Sequence, residues 1–152
     1  GQFDAAKTLE LVQKLDQTRT VDHASGWHDQ KVGDFKSLHV YFRPYKFKPD
    51  KLGRCVILTE FGGFSHAVKG HSHIAKKEFG YKKEGSLADF EQSMIDLYQQ
   101  QITPAKNMGL SAAILTQLSD VEDEVNGLVT YDRQVVKIPT KTIRKLNSHL
   151  HF

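Results

Sequence analysis

Apolar residues recur along this chain with two different periods, and the switches between them mark its elements. In residues 5–17, AAKTLELVQKLDQ, the positions Ala5, Leu9, Val12 and Leu15 fall near helical spacing, which predicts a helix with Asp4 at its N-cap. A short strand is predicted around residues 19–22. Residues 37–42, SLHVYF, alternate with aromatic and β-branched character and predict a second strand. Residues 55–60, CVILTE, form an unbroken apolar run, the pattern of a strand covered on both faces. A long helix is predicted over residues 86–109, with Ser86 as N-cap, a stripe of Leu87, Phe90, Met94, Leu97 and Tyr98, and Gly109 as its stop. Residues 110–117, LSAAILTQ, read as a further buried strand, and residues 138–150 as a closing helix capped by Thr140.

The stretches HDQKVGDFK and RPYKFKPDKLGR between the strands are too short and polar for full helices, and Gly33, Pro44, Pro49 and Gly53 punctuate them as loops. The C-terminal ends of the predicted strands are polar: Asp22 and His23, Tyr41, Glu60, then Thr116 and Gln117. Buried strands with polar C-terminal ends predict a parallel sheet whose chemistry gathers along one edge. In VILTEFGG, residues 56–63, the strand then delivers Glu60 to a shared mouth, and Gly62 and Gly63 let the backbone turn away without steric cost.

Composition narrows the partners. The chain has 152 residues, enough for one domain with a real core, and 39% hydrophobic against 26% charged residues is ordinary globular usage. The net charge of +3 is spread over scattered Lys and Arg, so no basic stripe for nucleic acid is expected. No apolar stretch approaches the length of a membrane span, and no membrane partner is expected. The single cysteine, Cys55, excludes an internal disulfide and a multi-cysteine zinc site, and its apolar neighbours predict a small core residue.

Several segments together resemble the end of the catalytic barrel of glycoside hydrolase family 2, which includes β-galactosidases, β-glucuronidases and β-mannosidases. They are TEFGG at 59–63, TQLSDVEDEVNGLVTYDRQVVK at 116–137, and VDHASGWHD and SLHVYFRP, which resemble the fifth and sixth barrel strands. The resemblance covers nearly the whole chain, and the 116–137 block is its most specific part. It implies the C-terminal half, strands 5–8, of a (β/α)8 barrel, a fold that typically needs about 250 residues. It also implies that the family's general acid and base, the Glu of an Asn-Glu pair, lies just upstream of Gly1, so that this chain alone lacks it and is inactive. A half barrel leaves open sheet edges, so a homo-oligomer or a complementing N-terminal half is the expected partner.

The chemistry implied is a retaining glycosidase acting on terminal β-linked sugars, which uses two carboxyl groups roughly 5–5.5 Å apart. Glu60 matches the nucleophile on strand 7. Tyr41, which ends strand 6, matches a family tyrosine able to donate to Glu60. His39 shares the face of Tyr41 by the period-two rule and is either a contact for a sugar hydroxyl or a satisfied core histidine. Trp27, the one tryptophan, is a sugar platform or a loop anchor. Asp22 binds a hydroxyl or holds the Trp27 loop through backbone amides. Where many family members carry a tryptophan after strand 8, this chain has Thr116 and Gln117. The acids of SDVEDE, Asp120, Glu122, Asp123 and Glu124, read as a solvated face or cap from which one side chain reaches the rim.

Two other readings compete. His66, His71 and His73 in SHAVKGHSH offer nitrogen ligands that suit zinc, but the basic neighbours Lys69, Lys76 and Lys77 disfavour a cation, so no metal or other cofactor is expected. A non-catalytic carbohydrate-binding or scaffold fragment is the remaining alternative.

Overall fold

The computed structural model describes residues 3–24, 26–73 and 81–152. Gly1, Gln2, Ser25 and residues 74–80, with Lys76 and Lys77, lie outside them. In chain order the elements are α1 (Ala5–Leu15), β1 (Phe35–Val40), β2 (Cys55–Gly62), β3 (Phe64–Ser65), β4 (Lys82–Lys83), α2 (Leu87–Leu97), a π-helical turn (Tyr98–Ile102), α3 (Thr103–Met108), β5 (Ala112–Thr116) and α4 (Thr140–Asn147).

The parallel sheet expected from the polar strand ends is present, with β2 in the centre, β1 and β5 on either side, and both pairings parallel. The half barrel is not. Among the described residues this sheet has three strands, a separate two-stranded sheet joins β3 to β4, and no barrel forms. The missing strand is the one expected at 19–22. Its backbone meets the start of β1 through Asp34 N–H to the Val21 carbonyl at 3.0 Å, while Val21 N–H goes to the Asp34 side chain at 2.6 Å. A strand needs a ladder, and here a side chain takes the place of the next rung.

The sheet is covered on one face. Val56, Leu58 and Phe61 of β2 pack with Phe90, Met94 and Leu97 of α2, and with Tyr98 and Ile102 of the π turn, into one buried cluster. Phe61 and Tyr98 lie 5.7 Å apart between ring centroids. The opposite face is covered only in part: Ser37 of β1 is buried, while Ile114 of β5 is 57% exposed. Two expectations fail for this reason. CVILTE is not covered on both faces, and Cys55, at the strand's entry, is exposed rather than core. Helix α1 shows the same limit, since Leu9 is buried while Leu15 is 79% exposed.

Caps decide the helix boundaries. Ser86 accepts from Asp89 N–H at 3.1 Å, which satisfies one of the orphan amides at the start of α2. Asp4 does not cap α1; it sits in the left-handed region at φ 49° with no capping bond and pairs instead with Lys7. Thr140 is the first helical residue of α4, and the N-cap is Pro139, which has no side-chain acceptor. The long helix expected over 86–109 is interrupted at Tyr98–Ile102, just before Pro104. Pro104 has no N–H for the carbonyl one turn back, and widening to a π turn accommodates that loss. Within that turn the Gln101 carboxamide oxygen accepts from Tyr45 N–H at 2.6 Å, which ties the loop after β1 to the helix layer. Gly109, at φ 119°, ends α3 as expected.

One polar clamp holds the entry side of the sheet. The guanidinium of Arg54, just before β2, donates to Asp50 at 2.8 Å and to Asp29 at 2.6 and 3.0 Å, and to the Val32 carbonyl at 3.1 Å. Arg54 holds the Asp50 carboxyl down at about 2, against an ordinary 3.8. A depressed carboxylate stabilises the fold above its unfolded pKa and ceases to do so as pH falls through the folded value. Stability to urea is therefore expected to fall between pH 4 and pH 2 through this group, as measured by the unfolding midpoint. In Asp50→Asn that part of the acid dependence should vanish.

Candidate active site

The parallel register brings the sheet's C-terminal ends together. Glu60 stands opposite His39 of β1, and Gly62 opposite Thr116 of β5. Tyr41, one residue beyond β1, donates its hydroxyl proton to Glu60 Oε2 at 2.6 Å. His39 Nδ1 lies 3.1 Å from that same oxygen. Residues 39 and 41 share a strand face, which is why both reach one carboxylate. The Glu60 side chain is 42% exposed, while His39 retains 20%. No hydrogen bond reaches Glu60 Oε1 from the described residues, so one carboxylate oxygen is held and the other is open.

The glycines do more than turn the chain. A Cβ on Gly63 would lie 2.5 Å from the Tyr41 carbonyl oxygen, and one on Gly62 would lie 2.8 Å from the Thr116 carbonyl oxygen. Both have positive φ, 92° and 145°. They allow both flanking strands to close on the end of β2, so that Tyr41 and Thr116 stand beside Glu60.

Burial, and after it the hydrogen bond to Glu60, pushes the Tyr41 phenol well above its ordinary 10.0. Tyr41 therefore keeps its proton and remains a donor. Beside it, with ring centroids 5.5 Å apart, Tyr81 is pushed up to about 12, first by burial and then by the charge of Glu124. Trp27 borders the mouth from the other side, edge-on to His39 at 5.8 Å and tilted over Tyr41 at 6.3 Å, and is 58% exposed. A Cβ on Gly26 would meet the His39 ring at 3.0 Å, so glycine there lets the Trp27 turn pass over that ring.

Gln117 follows β5 and donates to Asn126 Oδ1 at 3.0 Å and to Glu124 Oε2 at 3.4 Å; Asn126 in turn donates to the Thr116 carbonyl at 3.2 Å. The Tyr81 hydroxyl donates to Glu124 Oε2 at 3.5 Å. A second carboxylate thus belongs to the same polar wall, and it comes from the acid run expected to be a solvated face or cap with one side chain at the rim. The turn that delivers it carries reciprocal backbone bonds between Val121 and Glu124. Glu122 in that turn lies at φ 52°. The only signal in the sequence was the density of acids. Asp120 in the same run goes inward: its side chain is 1% exposed and pairs with Lys137 at 2.7 Å.

Asp22 is not brought to Glu60 by any contact among the described residues. Its Oδ1 accepts from the Ser37 hydroxyl at 2.9 Å and from Ala24 N–H at 3.1 Å, which holds the loop that leads to Trp27. The three loop histidines go separate ways. His66 Nδ1 meets the Glu84 carbonyl at 2.9 Å, His71 Nδ1 meets Asp132 at 2.8 Å, and His73 packs on Tyr131 at 4.7 Å. Among the described residues no group of three or more His, Cys, Asp or Glu side chains is placed to hold a metal ion.

The fold and site define a small parallel α/β unit with a carboxylate and its donors at the sheet's C-terminal edge. No family model matches the chain. No curated protein matches it either. Among solved structures it is similar to an exo-β-agarase, at 19% identity and a TM-score of 0.50, over 84% of this chain. The match covers 17% of that structure's chain, so this chain spans about a sixth of its length, and the likeness is one of fold.

Proposed function

We propose that Glu60 is the nucleophile of a retaining glycosidase that cleaves terminal β-linked sugars, with this chain supplying the nucleophile's side of the active site. The observation that carries the reading is the asymmetric carboxylate: Oε2 bound by Tyr41 and faced by His39, Oε1 without a bond from the described residues, at the open end of a parallel sheet. The likeness in fold to an exo-β-agarase, a glycoside hydrolase, supports it.

In the proposed reaction a lone pair on Glu60 Oε1 attacks the anomeric carbon. The bond from that carbon to the leaving oxygen breaks, and its electron pair departs with that oxygen. A glycosyl ester results, and water later attacks the anomeric carbon, releasing the Glu60 carboxylate with net retention. Tyr41 holds the nucleophile in orientation without neutralising it, because its own proton is tightly bound. Trp27 offers an indole face to the apolar side of a pyranose. Glu124, held by Gln117 and Tyr81, offers an acceptor to sugar hydroxyls. The second carboxyl of the pair protonates the leaving oxygen and then accepts the proton of the attacking water.

An activated leaving group tests the nucleophile by itself. Dinitrophenolate leaves without protonation, so dinitrophenyl β-glycosides of galactose, glucuronic acid and mannose bypass the acid step. One of them should release close to one equivalent of dinitrophenolate per chain. Binding of these sugars by calorimetry with no release from any of them would replace the proposal with a non-catalytic carbohydrate-binding role.

A further inference from the structure

A groove of about 440 Å³ opens beside the candidate site. Gly26, Trp27 and His39 belong to both, so the groove adjoins the Glu60 mouth. Its walls carry four cations, Lys36, Arg43, Lys46 and Lys48, against one carboxylate, Asp29. The charges read as scattered along the sequence, but folding gathers these four around one groove.

The collection has a local cause. Residues 44–50 run without helix or strand hydrogen bonding. Tyr45 is pinned to Gln101 at 2.6 Å, and both Tyr45 and Phe47 pack against the core cluster. In an extended segment alternate side chains point to opposite sides, so Lys46 and Lys48 are both exposed. Nearby negative charge is already committed. Asp29 and Asp50 are both bound by Arg54, and Lys36 reaches only the already bound Asp50, at 3.6 Å. Among the described residues, Arg43, Lys46 and Lys48 form no ion pair. A concave wall of one sign focuses its field on whatever enters, and an Arg fork suits sulfate and carboxylate groups alike.

We propose that the glycan taken by this site is anionic: an oligosaccharide carrying sulfate esters or carboxylates, with a charged residue seated against Arg43, Lys46 and Lys48 while a neighbouring sugar lies between Trp27 and Glu60. This rests on the reading of the Glu60 mouth as a carbohydrate site. The anionic residue gives the ligand affinity and register, and the chemistry stays at Glu60.

The test is calorimetry on the intact chain with three size-matched tetrasaccharides: a neutral galactan, its sulfated counterpart and one containing uronates. An anionic ligand should bind at least about ten-fold tighter than the neutral one at low ionic strength, and the advantage should shrink between about 20 mM and 0.3 M salt. The sulfated and uronate arms identify which anion is preferred. The combined variant Arg43→Ala, Lys46→Ala, Lys48→Ala should erase the preference while leaving neutral affinity within about two-fold, since an exposed cation contributes little to an uncharged ligand. Equal affinity for neutral and anionic sugars, a preference that survives the triple variant, or equally tight binding of single-stranded DNA would each overturn the inference while leaving the glycosidase reading intact. If no tetrasaccharide binds and no dinitrophenyl glycoside reacts, the carbohydrate reading itself fails.

Discussion

Lys137→Met is expected to destabilise the fold by about 3–5 kcal/mol, the range for removing one partner of a buried ion pair. The Lys137 side chain is 0% exposed and that of Asp120 is 1%. All three ammonium protons are used: on Asp120 at 2.7 Å, on the His66 carbonyl at 2.9 Å and on the Val125 carbonyl at 2.9 Å. The ammonium also lies 5.6 Å from the Phe90 ring centroid, against the helix layer. Burial pushes the Asp120 carboxyl up, and Lys137 with the Gly127 amide works against that. Removing Lys137 leaves a buried acid held by one amide, together with two carbonyls that have lost a donor. Urea unfolding of Lys137→Met should show the full loss, and Lys137→Met with Asp120→Asn should recover part of it, because the stranded charge is gone. A loss below about 1 kcal/mol would mean that water reaches the pair.

That clamp also fixes the 116–137 block in place. It ties the segment that carries Gln117, Glu124 and Asn126 to the end of β3 and to α2. A Cβ on Gly127 would lie 2.3 Å from the Asp120 amide nitrogen, so the segment closes on itself only with glycine there.

The second large effect concerns chemistry. Glu60→Gln should lower dinitrophenolate release by at least about 10⁴-fold, the scale seen when a nucleophile is deleted from a unit that acts together. The amide keeps the shape and a hydrogen-bond acceptor for Tyr41, but it lacks the charge and the nucleophilic oxygen. Thermal unfolding of the variant should stay near that of the parent, since the side chain is 42% exposed and buried in no cluster. Release that persists in Glu60→Gln would assign the chemistry to another carboxylate, with Glu124 the first to examine.

How much of this was legible in the sequence follows from which forces are local. Glu60, Tyr41 and His39 could be placed because strand ends and the period of two are local properties, and a parallel sheet then had to bring them together. Ser86 and Gly109 were legible for the same reason, as chemistry at helix ends. Glu124 was not, because its position depends on the turn at Glu122 and on Lys137, a residue 13 positions further along. The strand expected at residues 19–22 failed because a strand exists only with a ladder, and Asp34 supplied a side chain where the ladder required a backbone. The exposure of Cys55 and Ile114 was equally hidden: an apolar run does not say whether a second layer covers it. The two glycines were read as a turn, although their main effect is the approach of Tyr41 and Thr116, which no local pattern reveals.

The most direct measurement is peptide mapping after reaction of the intact chain with dinitrophenyl 2-deoxy-2-fluoro-β-glycosides. The fluorine slows breakdown of the ester, so the sugar stays on the residue that attacked. The account predicts one sugar per chain, on the peptide containing Glu60, with fragmentation placing it at that side chain and no label in Glu60→Gln. Label on any other residue, or no label from the galactoside, glucuronide and mannoside alike, would contradict it.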